Sequence, residues 1–491
     1  MTESGALQGI RSGDLHIYKG VPFAAPPVGE LRWREPRPPS AWKGTRRADA
    51  FAPACMQTGV SMPGESPPVT SEDCLYLNIW TPAKKSQQRL PVMVWIHGGG
   101  YTNGSASMPL YWGDQLARRG IVVVTLAYRL GPFGFLAHPE LTAESPRKSS
   151  GNYGLLDQIA ALEWIQRNIA KFGGDPGRVT IAGQSAGAMA VSILMSSPRA
   201  QGLFQRAIGE SGGLFEPLQL APQYLLANAE ADGSKYASSL RAESIAALRQ
   251  RPAAALLTDA AAHVSHPVIE PSVLPVPPYE ALVSGSYNNV PLLVGFNAQE
   301  ARAMVDVTNV KAATFAADIE GSFGQLPPAL IDAYPHATDE QARQARLDFE
   351  RDLRFGWDMW TWARLQSAHG PAYFYRFEQA PPFPTGSVRH GWGPSHFAEL
   401  WYVFDHLDQE SWSWSAGDRR VAAAMTSYWA NFVKTGDPNG DGLPRWPTFD
   451  TANAMHFLDG SHTGPVPGTD KLAVFDAVYD AVRRQPLKGA P

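Results

Sequence analysis

The chain has 491 residues, of which 44% are hydrophobic, 18% charged and 11% aromatic; this excludes a disordered or fibrous protein and supports a large apolar core. Its 42 basic and 46 acidic side chains leave a net charge of −4, which excludes an electrostatic footprint for nucleic acid. The most apolar stretch, Ile121 to Ala137, is interrupted by Arg129, Gly131, Pro132 and Gly134, so no segment reads as a membrane span.

Met1 to Gln8 has neither the basic nor the apolar region of a leader peptide. The expected compartment is therefore the cytoplasm, or outside the cell if a leader was removed. Cys55 and Cys74 are the two cysteines. They are too few for a four-ligand zinc site and read either as one disulfide or as two buried thiols. From Lys19 to Trp33 the chain is punctuated by Pro22, Pro26 and Pro27, which forbid a helix and predict an extended segment over the surface. Leu75 to Trp80 alternates like a strand. Leu90 to Ile96 and Ile121 to Ala127 are continuous apolar runs of central-strand length, with a short helix near Tyr111 to Arg119 before the second.

His97-Gly-Gly-Gly-Tyr101 follows the first of these runs directly. Three glycines after a buried strand are costly in backbone entropy unless the backbone itself is used. One use is to aim N–H groups at an oxyanion; the alternative is a flexible turn. Asp157 to Phe172 carries Ile159, Leu162, Ile165 and Ile169 at helical spacing, and Gly173-Gly174 stops it. That helix would cross between two parallel strands. Val179 to Ile181 then reads as a strand, Gly183-Gln184-Ser185-Ala186-Gly187 as a tight turn, and Ala188 to Met195 as a buried helix. Strand, turn and helix in that order are the context of a nucleophile elbow. Ser185 would sit at the helix N-terminus, where unpaired N–H groups favour developing negative charge.

Phe204 to Gly212 reads as another strand, and residues 216–265 as an alanine-rich helical insertion. Asn289 to Phe296 returns to sheet pattern and leads into Asn297-Ala-Gln-Glu300. Residues 326–369 form a second helical block, Ala372 to Phe377 a strand and Val421 to Lys434 a late helix. Strands alternating with helices predict an α/β fold with a mostly parallel central sheet flanked by helices. The expected organisation is one domain over 1–491, with helical insertions near 216–285 and 301–370.

These motifs, in this order, resemble the type-B carboxylesterases, the branch of the α/β-hydrolases that includes cholinesterases and bacterial p-nitrobenzyl-type esterases. The resemblance runs from about Gly20 to Phe449. It is carried by Ser71-Glu-Asp-Cys-Leu-Tyr-Leu-Asn78, Trp95-Ile-His-Gly-Gly-Gly100 and Gly151-Asn-Tyr-Gly-Leu-Leu-Asp-Gln158. Further matches are Phe172-Gly-Gly-Asp-Pro176, Ile181 to Gly187, Glu210-Ser-Gly212 and Lys434-Thr-Gly-Asp-Pro-Asn439.

The resemblance implies a triad of Ser185, Glu300 and His396 and an oxyanion hole of the Gly99, Gly100 and Ala186 N–H groups. Glu300 lies in Gly295-Phe-Asn-Ala-Gln-Glu-Ala301, which departs from the family pattern at Gln299 and Ala301. His396 lies in Gly393-Pro-Ser-His396, where Pro394 replaces an alanine. The resemblance also implies buried ion pairs of Arg32 with Glu72 and Arg129 with Asp157, and a disulfide between Cys55 and Cys74.

The implied activity is hydrolysis of neutral short-to-medium-chain or aryl carboxylic esters through an acyl-enzyme. Cholinesterase relatives carry a glutamate before the serine and a tryptophan in the cysteine-bounded loop. Here Gln184 is neutral and Met56 to Asp73 contains no aromatic residue. Rival expectations are a hydrolase of aromatic carbamates, feruloyl-type esters or polyester fragments, and a non-catalytic adhesion or scaffold protein. The expected partner is a small-molecule ester, with no nucleic acid and no membrane span, in a monomer or small homo-oligomer. No cofactor or metal is expected, since HExxH, GxxxxGK and GxGxxG are absent.

Overall fold

The computed structural model describes residues 1–487 apart from Ser61, Pro63 and Gly64. Its apolar runs pair into an eleven-stranded sheet. In chain order the strands are β1 (Ile10–Ser12), β2 (Leu15–Pro22), β3 (Tyr76–Thr81), β4 (Leu90–Ile96) and β5 (Val122–Leu126). Then come β6 (Gly174–Gln184), β7 (Arg206–Glu210), β8 (Leu292–Asn297), β9 (Ala372–Phe377), β10 (Asn453–Phe457) and β11 (His462–Pro465). Across the sheet the order is β11-β10-β9-β8-β7-β6-β4-β5-β3-β2-β1. From β5 to β10 every neighbouring pair is parallel, while β1, β2, β3 and β11 join antiparallel at the two edges.

A parallel block must be covered on both faces, so its strands read as continuous apolar runs. β4 shows this residue by residue. Val92, Val94 and Ile96 join one apolar cluster, and Met93 and Trp95 join another, as side chains alternating across a sheet must. On the first face lie α1 (Tyr153–Asn168) and α2 (Ala186–Ser196). Between β7 and β8 runs α3 (Leu226–Ser239), followed by short turns. Between β8 and β9 run α4 (Asp339–Arg351) and α5 (Trp357–Ser367), joined by a π-helical turn at Asp352–Gly356. The second face is covered by α6 (Ala416–Thr435) through Val421, Met425, Trp429 and Phe432. The last helix is α7 (Thr469–Arg483). Among the described residues no helix is long and apolar enough to cross a membrane.

Three details depart from the sequence expectation. The proline-rich segment is not laid on the surface: Val21, Phe23 and Trp33 are buried, and the Trp33 indole donates to Pro132 O at 2.7 Å. Burying those large apolar side chains outweighs the local tendency of proline to stay exposed. Helix α6 begins five residues earlier than expected, because Ser415 and Asp418 cap it reciprocally. The alanine-rich run from Ala242 to Arg249 is helical only from Ile245, where Ser244 accepts from Ala247 N.

Both expected ion pairs form. Arg32 grips Glu72 through Nε at 2.7 Å and Nη2 at 2.6 Å, and Arg129 grips Asp157 through Nε and Nη2, each at 2.8 Å. Cys55 and Cys74, both buried, are joined by a disulfide, which closes the two alternatives that composition left open.

Candidate active site

Strand β6 ends at Gln184 and α2 begins at Ala186, leaving Ser185 alone to make the turn. Its backbone sits at φ 58° and ψ −127°, a strained conformation for a residue with a side chain. Both flanking glycines are required by close approach: a Cβ on Gly187 would lie 2.1 Å from Ile96 O, and one on Gly183 2.5 Å from the Gly187 carbonyl carbon. Ser185 N donates to Glu210 O at 2.8 Å, which fixes the turn against β7. The side chain is half-buried, and its Oγ has no hydrogen-bond partner among the described residues.

The loop after β4 packs on this turn. A Cβ at Gly98 would stand 2.7 Å from Gln184 O and 3.0 Å from Ser185 Cβ. Gly99 and Gly100 take left-handed conformations at φ 105° and 59°. Their N–H groups meet no acceptor among the described residues, and Ala186 N–H, the first of α2, has no intrahelical acceptor. The loop is anchored by Tyr128, whose hydroxyl donates to His97 O at 2.8 Å, and by His97 Nδ1, which donates to Gly98 O at 2.8 Å. Burial pulls the His97 pKa down to about 4, the Gly98 carbonyl opposing it only in part. The ring is neutral at physiological pH, as a donor with no acid partner should be.

Glu300 opens a short turn after β8 and is fully buried. One carboxylate oxygen accepts from Asn297 N and Ser211 Oγ, each at 2.6 Å, and the other accepts from His396 Nδ1 at 2.7 Å. An ionised carboxylate can only accept, so Nδ1 carries the proton and Nε2 keeps its lone pair. Phe355 stacks on the imidazole at 4.6 Å and 15°, and Gln184 Nε2 lies 3.3 Å from His396 Nε2. Thus Glu300 and His396 are joined directly. Ser185 is tied to them through Gln184, whose amide reaches His396, and through the Glu210 carbonyl, whose neighbour Ser211 donates to Glu300, with no Ser185–His396 hydrogen bond among the described residues. Such bonds often tighten only when substrate is present.

Two further carboxyls lie behind this pair. Glu210 accepts from Trp429 Nε1 at 2.7 Å, and burial pushes its pKa up to about 8. Glu399 accepts from Asn297 Nδ2, and burial, with the charges of Glu300 and Glu210, raises it well above the usual range. Asn297 therefore links Glu300 through its backbone and Glu399 through its side chain. Sequence alone does not mark Ser211, Asn297 or Phe355 as part of the site. Ser211 and Asn297 stand inside motifs already singled out, whereas nothing around Phe355 marked it. His406, one of the remaining histidines, instead pairs with Asp114 and the Leu110 carbonyl. Among the described residues no group of three or more His, Cys, Asp or Glu is placed to hold a metal ion.

The arrangement presents a hydroxyl at a strained turn, an imidazole polarised by a carboxylate and a run of unpaired N–H groups, the parts an acyl transfer needs. Comparison with known proteins agrees. Residues 1–466 match the model of the Carboxylesterase family. The chain is 39% identical over 489 residues to the fumonisin B1 esterase of Sphingopyxis macrogoltabida, covering 95% of this chain and 87% of that protein. It is 35% identical over 472 residues to the para-nitrobenzyl esterase of Bacillus subtilis, covering 91% and 92%. A solved PNB esterase superimposes with a TM-score of 0.83 at 33% identity, over 96% of this chain and 98% of the other. With that sheet, that elbow and these relatives, the chain belongs to the carboxylesterase family of α/β-hydrolases and is a serine-type hydrolase of carboxylic esters.

Proposed function

We propose that Ser185 is the nucleophile, His396 its general base and Glu300 the carboxylate that fixes and stabilises the imidazole. The observation that carries this is the buried Glu300–His396 hydrogen bond beside a serine held at positive φ. Ser185 Oγ attacks the ester carbonyl while His396 Nε2 takes its proton. The N–H groups of Gly99, Gly100 and Ala186 receive the oxyanion, each such donor worth roughly 3–4 kcal/mol of barrier. His396 then protonates the departing alcohol, and water repeats the cycle to release the acid.

The substrates are neutral short-to-medium-chain or aryl esters, taken in preference to choline esters. A quaternary ammonium entering here meets neutral Gln184 and a Cys55–Cys74 loop without aromatics. It sheds water without the anion before the serine or the aromatic ring of the cysteine-bounded loop in return, a loss of about 1 kcal/mol or more. The test is labelling with an organophosphate followed by peptide mass spectrometry. The adduct is expected on Ser185, with no label and no turnover in Ser185→Ala; an adduct on another serine overturns the assignment. Alongside, kcat/KM for butyrylthiocholine should fall below that for a neutral thiobutyrate of similar size.

A further inference from the structure

One neighbour of His396 plays no part in the steps above. Phe355 is 8% exposed and lies flat on the imidazole, with the ring centroids 4.6 Å apart and the planes 15° from parallel. Phe397 meets the same imidazole at an angle, at 5.1 Å and 60°, and Gln184 brings a neutral amide to 3.3 Å from Nε2. Of the two phenyl rings, it is Phe355 that is stacked over the face of the imidazole.

The helix is deformed where this ring stands. Between α4 and α5, Asp352–Gly356 winds as a π-helical turn, whose hydrogen bonds reach one residue further than those of an α-helix. Side chains on an α-helix step round by about 100° per residue, so removing the extra residue would swing Phe355 away from His396. The turn is braced from within by Asp352, which is buried. Its carboxylate accepts from the Tyr334 hydroxyl at 2.8 Å and from Arg351 Nε and Nη2 at 2.8 and 2.9 Å. A Cβ on Gly356 would lie 2.8 Å from Asp352 Oδ1, so glycine at that position lets the carboxylate fold against the turn. A buried carboxylate, its partners and a glycine thus hold an irregular turn whose inward ring ends on the catalytic base.

The imidazole changes charge during the reaction. It is neutral when substrate arrives and becomes a cation as it takes the Ser185 proton, in acylation and again when water attacks. The face of a phenyl ring carries negative potential and attracts a cation within about 6 Å of its centroid. A neutral imidazole gains only ordinary stacking there. The contact therefore strengthens as the transition state is approached, the condition under which a contact speeds a reaction.

We propose that Phe355 stabilises the cationic form of His396 through its ring face, and that the π-helical turn serves to aim it. This rests on His396 being the base, and it adds to the site an aromatic group acting on the reacting imidazole.

The experiment replaces Phe355 in the full chain with 4-fluoro-, 3,5-difluoro- and 3,4,5-trifluorophenylalanine, which drain the ring face step by step while changing its shape little. Acylation is read from the burst of p-nitrophenol released by p-nitrophenyl butyrate, and kcat from the steady state. Both are expected to fall with each fluorine set, by about three- to thirtyfold in all. A fall under threefold, or one in only one of the two rates, overturns the proposal, because a ring that merely packs would not respond to fluorination. Phe355→Leu, which fills much of the space without a π-face, should lose at least as much as the trifluoro variant; a folded leucine variant with native rates overturns the proposal as well. Should the leucine variant not fold, the near-isosteric fluorinated series decides alone. Failure of the underlying assignment would show separately, as p-nitrophenyl butyrate hydrolysis surviving in His396→Ala.

Discussion

Glu300 divides its two oxygens between holding itself still and holding His396, and the two tasks respond differently to substitution. Glu300→Gln keeps the size of the side chain but sets an amide against Nδ1, which permits the wrong tautomer. We expect kcat to fall roughly 10³–10⁴-fold, as when a triad carboxylate is replaced by an amide elsewhere. A loss under tenfold on p-nitrophenyl butyrate would mean that another carboxyl, with Glu399 nearby, takes over. His97 gives a second residue-scale test, through pH. Its folded pKa is about 4 against an ordinary 6.5, so between these values the unfolded chain binds a proton that the folded chain refuses. Its contribution is complete above pH 6.5 and is lost as pH falls towards 4, by about 1 kcal/mol per pH unit. Denaturant melts across that range should show a shallower pH slope in His97→Asn than in the native protein; equal slopes would refute the buried neutral imidazole.

At the scale of elements, the crossing of α2 over β4 sets how closely the elbow can sit. With a Cβ at Gly187 only 2.1 Å from Ile96 O, Gly187→Ala must push the helix from the strand or turn the elbow. The expected loss is about 1–3 kcal/mol of stability, read as a lower midpoint in urea, with a disproportionate loss of kcat because Ser185 moves with the helix. Unchanged kcat in folded Gly187→Ala would show that the elbow does not need this contact.

The elbow and the triple-glycine loop were legible in the sequence because each is local: strand, turn and helix follow one another with the glycines in place. Glu300 and His396 were not legible from spacing, since 96 residues separate them; only the family resemblance paired them. Phe355 carried no signature at all, because its place on His396 depends on how the π-helical turn before α5 folds back over the sheet. β1, β10 and β11 escaped for a simpler reason. They are strands of three to five residues near the sheet edges, too short for alternation to stand out.

Over the whole molecule, Arg32 fastens the N-terminal third to the helical insertion, and the Cys55–Cys74 bridge closes a loop within that third. Arg32 Nη1 donates to the carbonyls of Leu248, Arg249 and Arg251 at 3.2, 3.2 and 2.9 Å, while its other nitrogens hold Glu72, two residues before Cys74. The bridge spans 19 residues, and opening a loop of that size should remove on the order of 3 kcal/mol. Reduced protein, or Cys55→Ser with Cys74→Ser, should therefore melt at a lower temperature. It should still hydrolyse p-nitrophenyl esters, because neither cysteine contacts Ser185 or His396. Free thiols in unfolded, unreduced protein would contradict the bridge.

The strand order has a practical corollary. β6, which delivers Ser185, is the sixth of the eleven strands, and every strand that follows β7 in the chain lies beyond β7 in the sheet. A break in the turn at 241–243, where Arg241 and Glu243 are exposed, would leave Ser185 and the glycine loop in one piece and Glu300 and His396 in the other. Within the sheet the seam between the pieces is the β7–β8 ladder, from Ala207 opposite Leu292 to Glu210 opposite Gly295. Two such halves, each silent alone, would regain colour from a chromogenic ester only on docking, so the enzyme is already laid out as a complementation reporter for whatever is fused to its halves.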